Sequence, residues 1–326
     1  MARTYVRNIL IITLSNLGDV IMTTPVIMTF ALKFPEARIT VVAGPKAQSL
    51  LSRSKYIHKL VVYDKKGDLF SQWRFLKELR KTRYEIVVDL RNTAIPFLVS
   101  CKKRSPLFRR FHYVNKRENH LEVVQMMGFG LDKVDPFDFF DEEDGNQLFK
   151  KLEKNGISDK KNWILVAPGA ASERKRWPAE HFQALIRKLI EFAGKQVLLI
   201  GAENEKTIAE AVAQKMSPAV HVLCGQTTIS ETAALISKAS LVVANDSAVM
   251  HLGFELGAPT VGIFGPTDHE KYGHHGRSFR IAREDAAACS CHSSELPYAQ
   301  RSCFHGLKPE KVFDLCKELL YENKNS

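Results

Sequence analysis

At 326 residues the chain is longer than one hydrophobic core usually fills, which excludes a single small module and predicts two domains of ordinary size. Its 45% hydrophobic and 25% charged residues, with no run near the ~20 apolar residues of a membrane span, predict a soluble globular protein. Lys and Arg number 47 against 36 Asp and Glu, a formal charge of +11 that favours an anionic partner, while six cysteines without an export signal predict reduced cytosolic thiols rather than a disulfide framework.

Arg3 and Arg7 precede the apolar run Ile9 to Ile12, which is too short for a signal segment and reads as part of a first strand, Asn8 to Leu14. That strand runs into Ser15-Asn16-Leu17-Gly18-Asp19, followed by Thr24-Pro25 and an apolar helical run through Leu32, so Asp19 stands where a helix begins. Two roles are open to it there. It can cap the helix by accepting orphan backbone N–H groups, or it can take a proton from an attacking sugar hydroxyl. Strand-like runs at Arg38 to Ala43, Lys59 to Tyr63 and Glu85 to Leu90 each precede a plausible helix, and that alternation predicts a parallel sheet. From Asn92 to Arg117 there is no acid, while Lys102, Lys103, Arg104, Arg109, Arg110, Lys116 and Arg117 interleave with Phe97, Leu98, Leu107, Phe108 and Phe111. This is either a solvated loop with a few core anchors or a surface drawn to anionic lipid. An acidic stretch, Asp132 to Asp144, then Gly145 and Gly156, puts the domain boundary between 1–145 and 146–326.

The second half repeats the alternation, with strands near Trp163 to Ala167, Gln196 to Gly201, Val220 to Leu223, Leu241 to Ala244 and Thr260 to Phe264. The fold class is therefore α/β, two doubly wound Rossmann-like domains facing across a cleft, with the informative residues in loops at the carboxyl ends of the strands. Pro168-Gly169-Ala170 follows one strand, and Arg174, Lys175 and Arg176 precede Trp177-Pro178, which places Lys175 near a helix start suited to phosphate. Glu205, in Gly201-Ala202-Glu203-Asn204-Glu205, can hold the vicinal hydroxyls of a ribose. Asn245-Asp246-Ser247-Ala248-Val249-Met250-His251 passes from a buried strand straight into a helix, with small residues that let a diphosphate reach backbone N–H groups. The positive end of that helix would stabilise charge on a leaving diphosphate without a metal, and His251 can donate to a phosphate or pack in the core. Gly265-Pro266-Thr267-Asp268 closes the last strand. Neither a Gly-x-Gly-x-x-Gly fingerprint nor a Walker loop is present, which argues against a dehydrogenase and a P-loop NTPase. Cys289, Cys291, Cys303 and Cys316, with His292 and His305, do not have the spacing of a zinc finger; Cys316 falls in an amphipathic helix, Pro309 to Tyr321, and no metal is expected.

Taken in order, Gly18-Asp19 with Thr24-Pro25, Pro168-Gly169-Ala170, Lys175 with Trp177-Pro178, Asn245-Asp246-Ser247 with Met250-His251, and Phe264-Gly265-Pro266-Thr267-Asp268 resemble glycosyltransferase family 9, the ADP-heptose:lipopolysaccharide heptosyltransferases. The resemblance spans most of the chain. It implies a GT-B fold and a metal-independent, cofactor-free inverting transfer of a heptose or related sugar from an ADP-sugar to a lipopolysaccharide-core acceptor. Asp19 would be the general base. Lys175, Asp246, Ser247, Ala248 and His251 would hold the donor phosphates, Glu205 its nucleoside, and Asn16, Arg91 and His120 the acceptor. The implied partners are the nucleotide sugar, an anionic glycolipid and, by peripheral contact, the inner face of the cytoplasmic membrane, with no nucleic acid. The C-terminal helix is free to pack back on the N-terminal domain. The chain departs from the family pattern at Thr13, where a basic residue is common, and at Ala248, where glycine is common. A transferase of another nucleotide sugar, a GT-B epimerase and a non-catalytic nucleotide-sugar binder are the rival readings.

Overall fold

The computed structural model describes residues 6–130, 133–157, 163–285, 289–290 and 302–322, and the chain divides into two compact units, Met1–Phe139 and Phe140–Ser326. In the first, β1 (Asn8–Ile12), β2 (Arg38–Ala43), β3 (Lys59–Val62), β4 (Tyr84–Asp89) and β5 (Cys101–Arg104) form a parallel sheet in the order β3-β2-β1-β4-β5. Its helices are α1 (Leu17–Ile21), α2 (Thr24–Lys33), α3 (Gln48–Leu51), α4 (Leu69–Arg80), α5 (Ile95–Leu98) and α6 (Lys116–Met126). A parallel sheet covered on both faces needs strands that are apolar throughout, and Ile9, Leu10, Ile11 and Ile12 are all fully buried. On one face, α4 and α5 lay Phe75, Leu79 and Ile95 against Leu10, Ile12, Val42 and Val87. The strand order reverses between β1 and β4, where open α/β sheets leave a crevice at the carboxyl ends of their strands.

The second unit contains α7 (Glu142–Lys154), β6 (Trp163–Ala167), α8 (Ala179–Ala193), β7 (Gln196–Leu199), α9 (Lys206–Ala213), β8 (Val220–Val222) and α10 (Ile229–Ile236). There follow β9 (Leu241–Asn245), α11 (Ala248–Glu255), β10 (Thr260–Phe264), α12 (His269–Tyr272), β11 (Phe279–Arg283) and α13 (Pro309–Glu322). The sheet order is β11-β10-β9-β6-β7-β8, again all parallel, and the reversal falls between β6 and β9.

The division falls within the acidic stretch Asp132 to Asp144, and its residues from Asp141 onward start a helix. Asp141 caps α7 by accepting the Asp144 amide at 2.9 Å, and the Asp144 carboxylate accepts the Asp141 amide at 3.1 Å. Helix α7 then buries Leu148 and Leu152, and Lys151 reaches Glu231 of α10 at 2.7 Å, so it belongs to the second unit. The last helix, α13, lays Val312, Cys316, Leu319 and Leu320 into the core of that unit, beside Phe182, Ile186 and Val261. Both sheets also gain an edge strand that periodicity does not mark. Strand β5 is Cys-Lys-Lys-Arg with three exposed cations, and β11 is Phe-Arg-Ile-Ala-Arg. Edge strands carry charge where central ones carry β-branched residues. No described helix is long and apolar enough to cross a membrane.

Candidate functional site

The carboxyl ends of β1 and β4 gather the N-terminal candidates. Thr13, where a basic residue would follow the family pattern, is fully buried and donates its hydroxyl to the Val42 carbonyl at 3.0 Å. Gly44, after β2, lets the next turn come close: a Cβ there would stand 2.9 Å from the Ser15 Cα, so any side chain would displace the turn that carries Asp19. Asn16 takes the cap position of α1 with extended backbone, and Asp19 falls in the first turn. Asp19 is thus not the capping residue; its carboxylate accepts from Asn16 Nδ2 at 2.9 Å and is only half-buried.

The Leu90 amide donates to the Ile12 carbonyl at 2.9 Å, which sets the loop after β4 beside the loop after β1. Buried Asp89 fixes that loop by accepting the amides of Arg91 at 2.8 Å and Thr93 at 2.5 Å and the Thr93 hydroxyl at 2.8 Å. Arg91 then lies over Tyr63, 5.8 Å from the ring centroid. Arg109, read from sequence only as one charge of a basic segment, donates to the Asp89 carbonyl at 2.5 Å and to Ser105 Oγ at 3.2 Å. Burial lowers its pKa, against the opposing pull of Asp89.

His120, on α6, is 7% exposed, and its Nε2 has no hydrogen-bond partner among the described residues. Burial, reinforced by the positive charges of Lys116 and Arg109, pushes its pKa down to about 4, so the imidazole is neutral at pH 7. The folded pKa lies below the unfolded value of about 6.5. The unfolded chain therefore takes up a proton first as pH falls, and stability present above that value is lost on the way down to pH 4, by at most about 3 kcal/mol. A His120→Gln variant should lose less stability than the parent between about pH 7 and pH 5 in urea titrations. Equal losses would remove His120 as the source.

In the second unit the loops after β6 and β9 flank the reversal of strand order. Asn245, the buried last residue of β9, donates from Nδ2 to the Pro168 carbonyl at 2.8 Å and accepts the Trp177 amide on Oδ1 at 3.1 Å. The Trp177 indole donates in turn to the Leu307 carbonyl at 3.0 Å. One amide side chain thereby fastens the two β6 loop segments to β9. An Asn245→Ala change leaves a buried carbonyl and a buried amide unpaired and is expected to cost about 2–4 kcal/mol of unfolding free energy. A chemical denaturation midpoint indistinguishable from the parent's would contradict this.

Asp246 is buried and accepts Lys175 Nζ at 2.8 Å, while His251 Nε2 lies 4.0 Å from its other oxygen. Lys175 ends a one-turn 3-10 segment, Glu173–Lys175, three residues before Pro178, the N-cap of α8, and its ammonium is oriented by Asp246. Ser247 precedes α11, and its buried hydroxyl makes no cap bond and has no partner among the described residues. Ala248 opens α11. His251 is buried, with Nδ1 2.8 Å from Nε2 of His274, which stacks on Phe254 at 4.0 Å between ring centroids. The Asp246 carboxylate favours a hydrogen on His251 Nε2, which makes His274 the donor across the histidine pair. Sequence reading missed His274. Its only signal is the His274-His275 doublet in a loop without periodicity.

Glu205 ends the turn Glu203–Glu205, and its carboxylate accepts the Ala202 amide at 2.8 Å. It lies over the Pro168-Gly169 loop so closely that a Cβ on Gly169 would stand 2.2 Å from Glu205 Cδ. Cys316 is fully buried, and burial raises its thiol pKa; Cys289 and Cys303 bring their Sγ atoms to 3.2 Å. Cys291 and His292 lie outside the described residues, and among those described no three His, Cys, Asp or Glu side chains are grouped to hold a metal ion.

The family model of glycosyltransferase family 9 (heptosyltransferase) matches residues 109–303. The lipooligosaccharide heptosyltransferase 2 of Haemophilus influenzae is 25% identical over 291 residues, 80% of this chain and 84% of that protein. The crystal structure of the family 9 glycosyltransferase of Veillonella parvula is similar with a TM-score of 0.83 at 22% identity, covering 99% of each chain. The E. coli heptosyltransferase WaaC with ADP-2-deoxy-2-fluoro heptose follows with a TM-score of 0.68 at 18% identity, over 97% of this chain and 99% of that one. The likeness to both structures is one of fold, the GT-B class with its two Rossmann-like domains.

Proposed function

This chain belongs to glycosyltransferase family 9, and from that premise we propose an inverting enzyme that moves a heptose from an ADP-sugar to a lipopolysaccharide-core acceptor. The observation that carries the donor side is the arrangement at the end of β9. The Lys175 ammonium is held 2.8 Å from Asp246, and the next residue, Ser247, precedes α11 with a buried hydroxyl that has no partner among the described residues. A fixed cation, a free hydroxyl donor and helix-start amides are what a departing diphosphate needs in order to leave without a metal. In this reading Lys175, Asp246, Ser247, Ala248 and His251 bind the diphosphate. Glu205 takes the ribose hydroxyls, and Asn16, Arg91 and His120 orient the acceptor.

Asp19 would take the proton of the acceptor hydroxyl as its oxygen attacks the anomeric carbon from the face opposite the diphosphate; the bond to ADP breaks, and the configuration inverts. The adenine base is supported by the ADP-sugar carried by the solved WaaC, a protein of the same fold. The acceptor is an anionic glycolipid, met at the inner face of the cytoplasmic membrane by peripheral contact. Supporting this are the acid-free segment 92–117 and the exposure of Phe97 (56%), Phe108 (94%) and Phe111 (41%) within it.

The test is transfer from ADP-heptose to purified core acceptor, followed by product mass and anomeric configuration, alongside thermal shifts with ADP, UDP, GDP and NAD. A ligand at ~100 times its dissociation constant stabilises by roughly 2.7 kcal/mol, which is readily seen. Selective stabilisation by ADP with a heptosylated product of inverted configuration is expected. A UDP or GDP preference would replace the donor, and silence from all four with no product would overturn the catalytic reading.

A further inference from the structure

Helix α4 has two apolar faces, and the fold of the first unit uses one. Phe75 and Leu79 are buried on the sheet, yet Leu69, Phe70 and Trp73 are 84%, 60% and 56% exposed. With about 3.6 residues per turn these three share an outward arc with Arg74 and Lys77. The cations lie over the exposed rings: Arg74 is 4.9 Å from the Phe70 centroid and Lys77 is 4.9 Å from that of Trp73. The nearby acids are already engaged, Asp68 as the cap that accepts the Ser71 amide at 2.7 Å, and Glu78 in ion pairs with Lys59 and Lys81. On the same face of the sheet, Arg80 donates to the Leu98 carbonyl of α5 at 2.7 Å, and exposed Phe97 carries Arg104 at 4.7 Å. The result is one surface of aromatic and aliphatic groups overlaid with positive charge.

We propose that α4 seats this protein on an anionic lipid bilayer, with Leu69, Phe70 and Trp73 entering the headgroup region and Arg74 and Lys77 on the phosphates. This rests on, and deepens, the peripheral-contact reading above by assigning the contact to an element outside segment 92–117. Charge decides between occupants. The cores of protein interfaces are depleted in lysine, whereas an interfacial helix combines aromatic rings with lysine and arginine as α4 does.

Vesicles of phosphatidylcholine alone, or mixed with phosphatidylglycerol, provide the test. Trp163 and Trp177 are 0% and 2% exposed, so a blue shift of tryptophan emission on adding vesicles reports Trp73. The full-length protein should pellet with mixed vesicles, shift its emission and release as salt is raised. The combined Leu69→Ser, Phe70→Ser, Trp73→Ser variant, and separately Arg74→Glu with Lys77→Glu, should lose about tenfold or more in vesicle affinity. These side chains are exposed and none of them is assigned to transfer, so both variants should keep the parent melting temperature and full transfer to a deacylated, water-soluble acceptor. Undiminished vesicle binding by both variants would overturn the assignment to α4 and leave peripheral contact to segment 92–117. A parent that ignores mixed vesicles would overturn the assignment and the peripheral-contact reading together. Equal binding to phosphatidylcholine alone, or self-association that the serine variant abolishes, would also overturn it.

Discussion

An Asp19→Asn variant is expected to transfer sugar about 10²- to 10⁴-fold more slowly at saturating donor, the usual contribution of a positioned general base. The change is isosteric and removes only the carboxylate charge. Its one hydrogen bond among the described residues, from the exposed Asn16 side chain, lies at the surface, and Asp19 is not the residue that caps α1. The melting temperature should therefore stay within a few degrees of the parent's, since a charge in a first helical turn is worth roughly 0.3–1 kcal/mol. The groups proposed to bind the donor belong to the second unit, so ADP affinity in thermal-shift titrations should not move. A fall in turnover with unchanged ADP binding is the signature of a group that acts on the acceptor proton. Near-normal turnover would reduce Asp19 to a surface residue at a helix start.

A Lys175→Ala variant is expected to raise the donor KM by about 10²-fold, for two reasons that act together. It removes the charge-assisted hydrogen bond proposed between Lys175 and the diphosphate, worth about 1.5–3 kcal/mol. It also strips Asp246 of the ammonium 2.8 Å away, leaving a buried carboxylate facing an incoming anion. Adding Asp246→Asn removes that repulsion, so the double variant should bind ADP better than the sum of the two single losses implies. Strict additivity in isothermal titration would mean that the pair is structural and that the diphosphate lies elsewhere.

The central strands were legible because a doubly covered parallel sheet writes itself as unbroken apolar runs, as in Asn-Ile-Leu-Ile-Ile of β1 and Trp-Ile-Leu-Val-Ala of β6. Edge strands β5 and β11 escaped because one side of each faces no neighbouring strand, and charge there satisfies the same backbone geometry. At the site, the strand-to-helix junctions were visible from small residues and Pro-Gly pairs, but the interactions across them were not. Asn245 joins partners 77 and 68 positions away, and His251 meets His274 across 23. Periodicity over a dozen residues carries no record of contacts at that range. The acidic stretch Asp132 to Asp144 holds a helix start that its composition does not announce. Its local composition is that of a linker, while Asp141 and Asp144 are reciprocal caps that start a helix packed on α10.

The seating of α13 has a consequence for the order in which the polypeptide acquires structure during translation. The sheet of the first unit is complete once Arg104 has been synthesised, and α6 follows within about two dozen residues. The second unit cannot close its core until Val312, Cys316, Leu319 and Leu320 have been made, because they fill the space beside Phe182, Ile186 and Val261. A nascent chain therefore carries a finished N-terminal half while the C-terminal half still exposes the apolar surface that α13 will cover, a window in which ribosome-associated chaperones have something to hold.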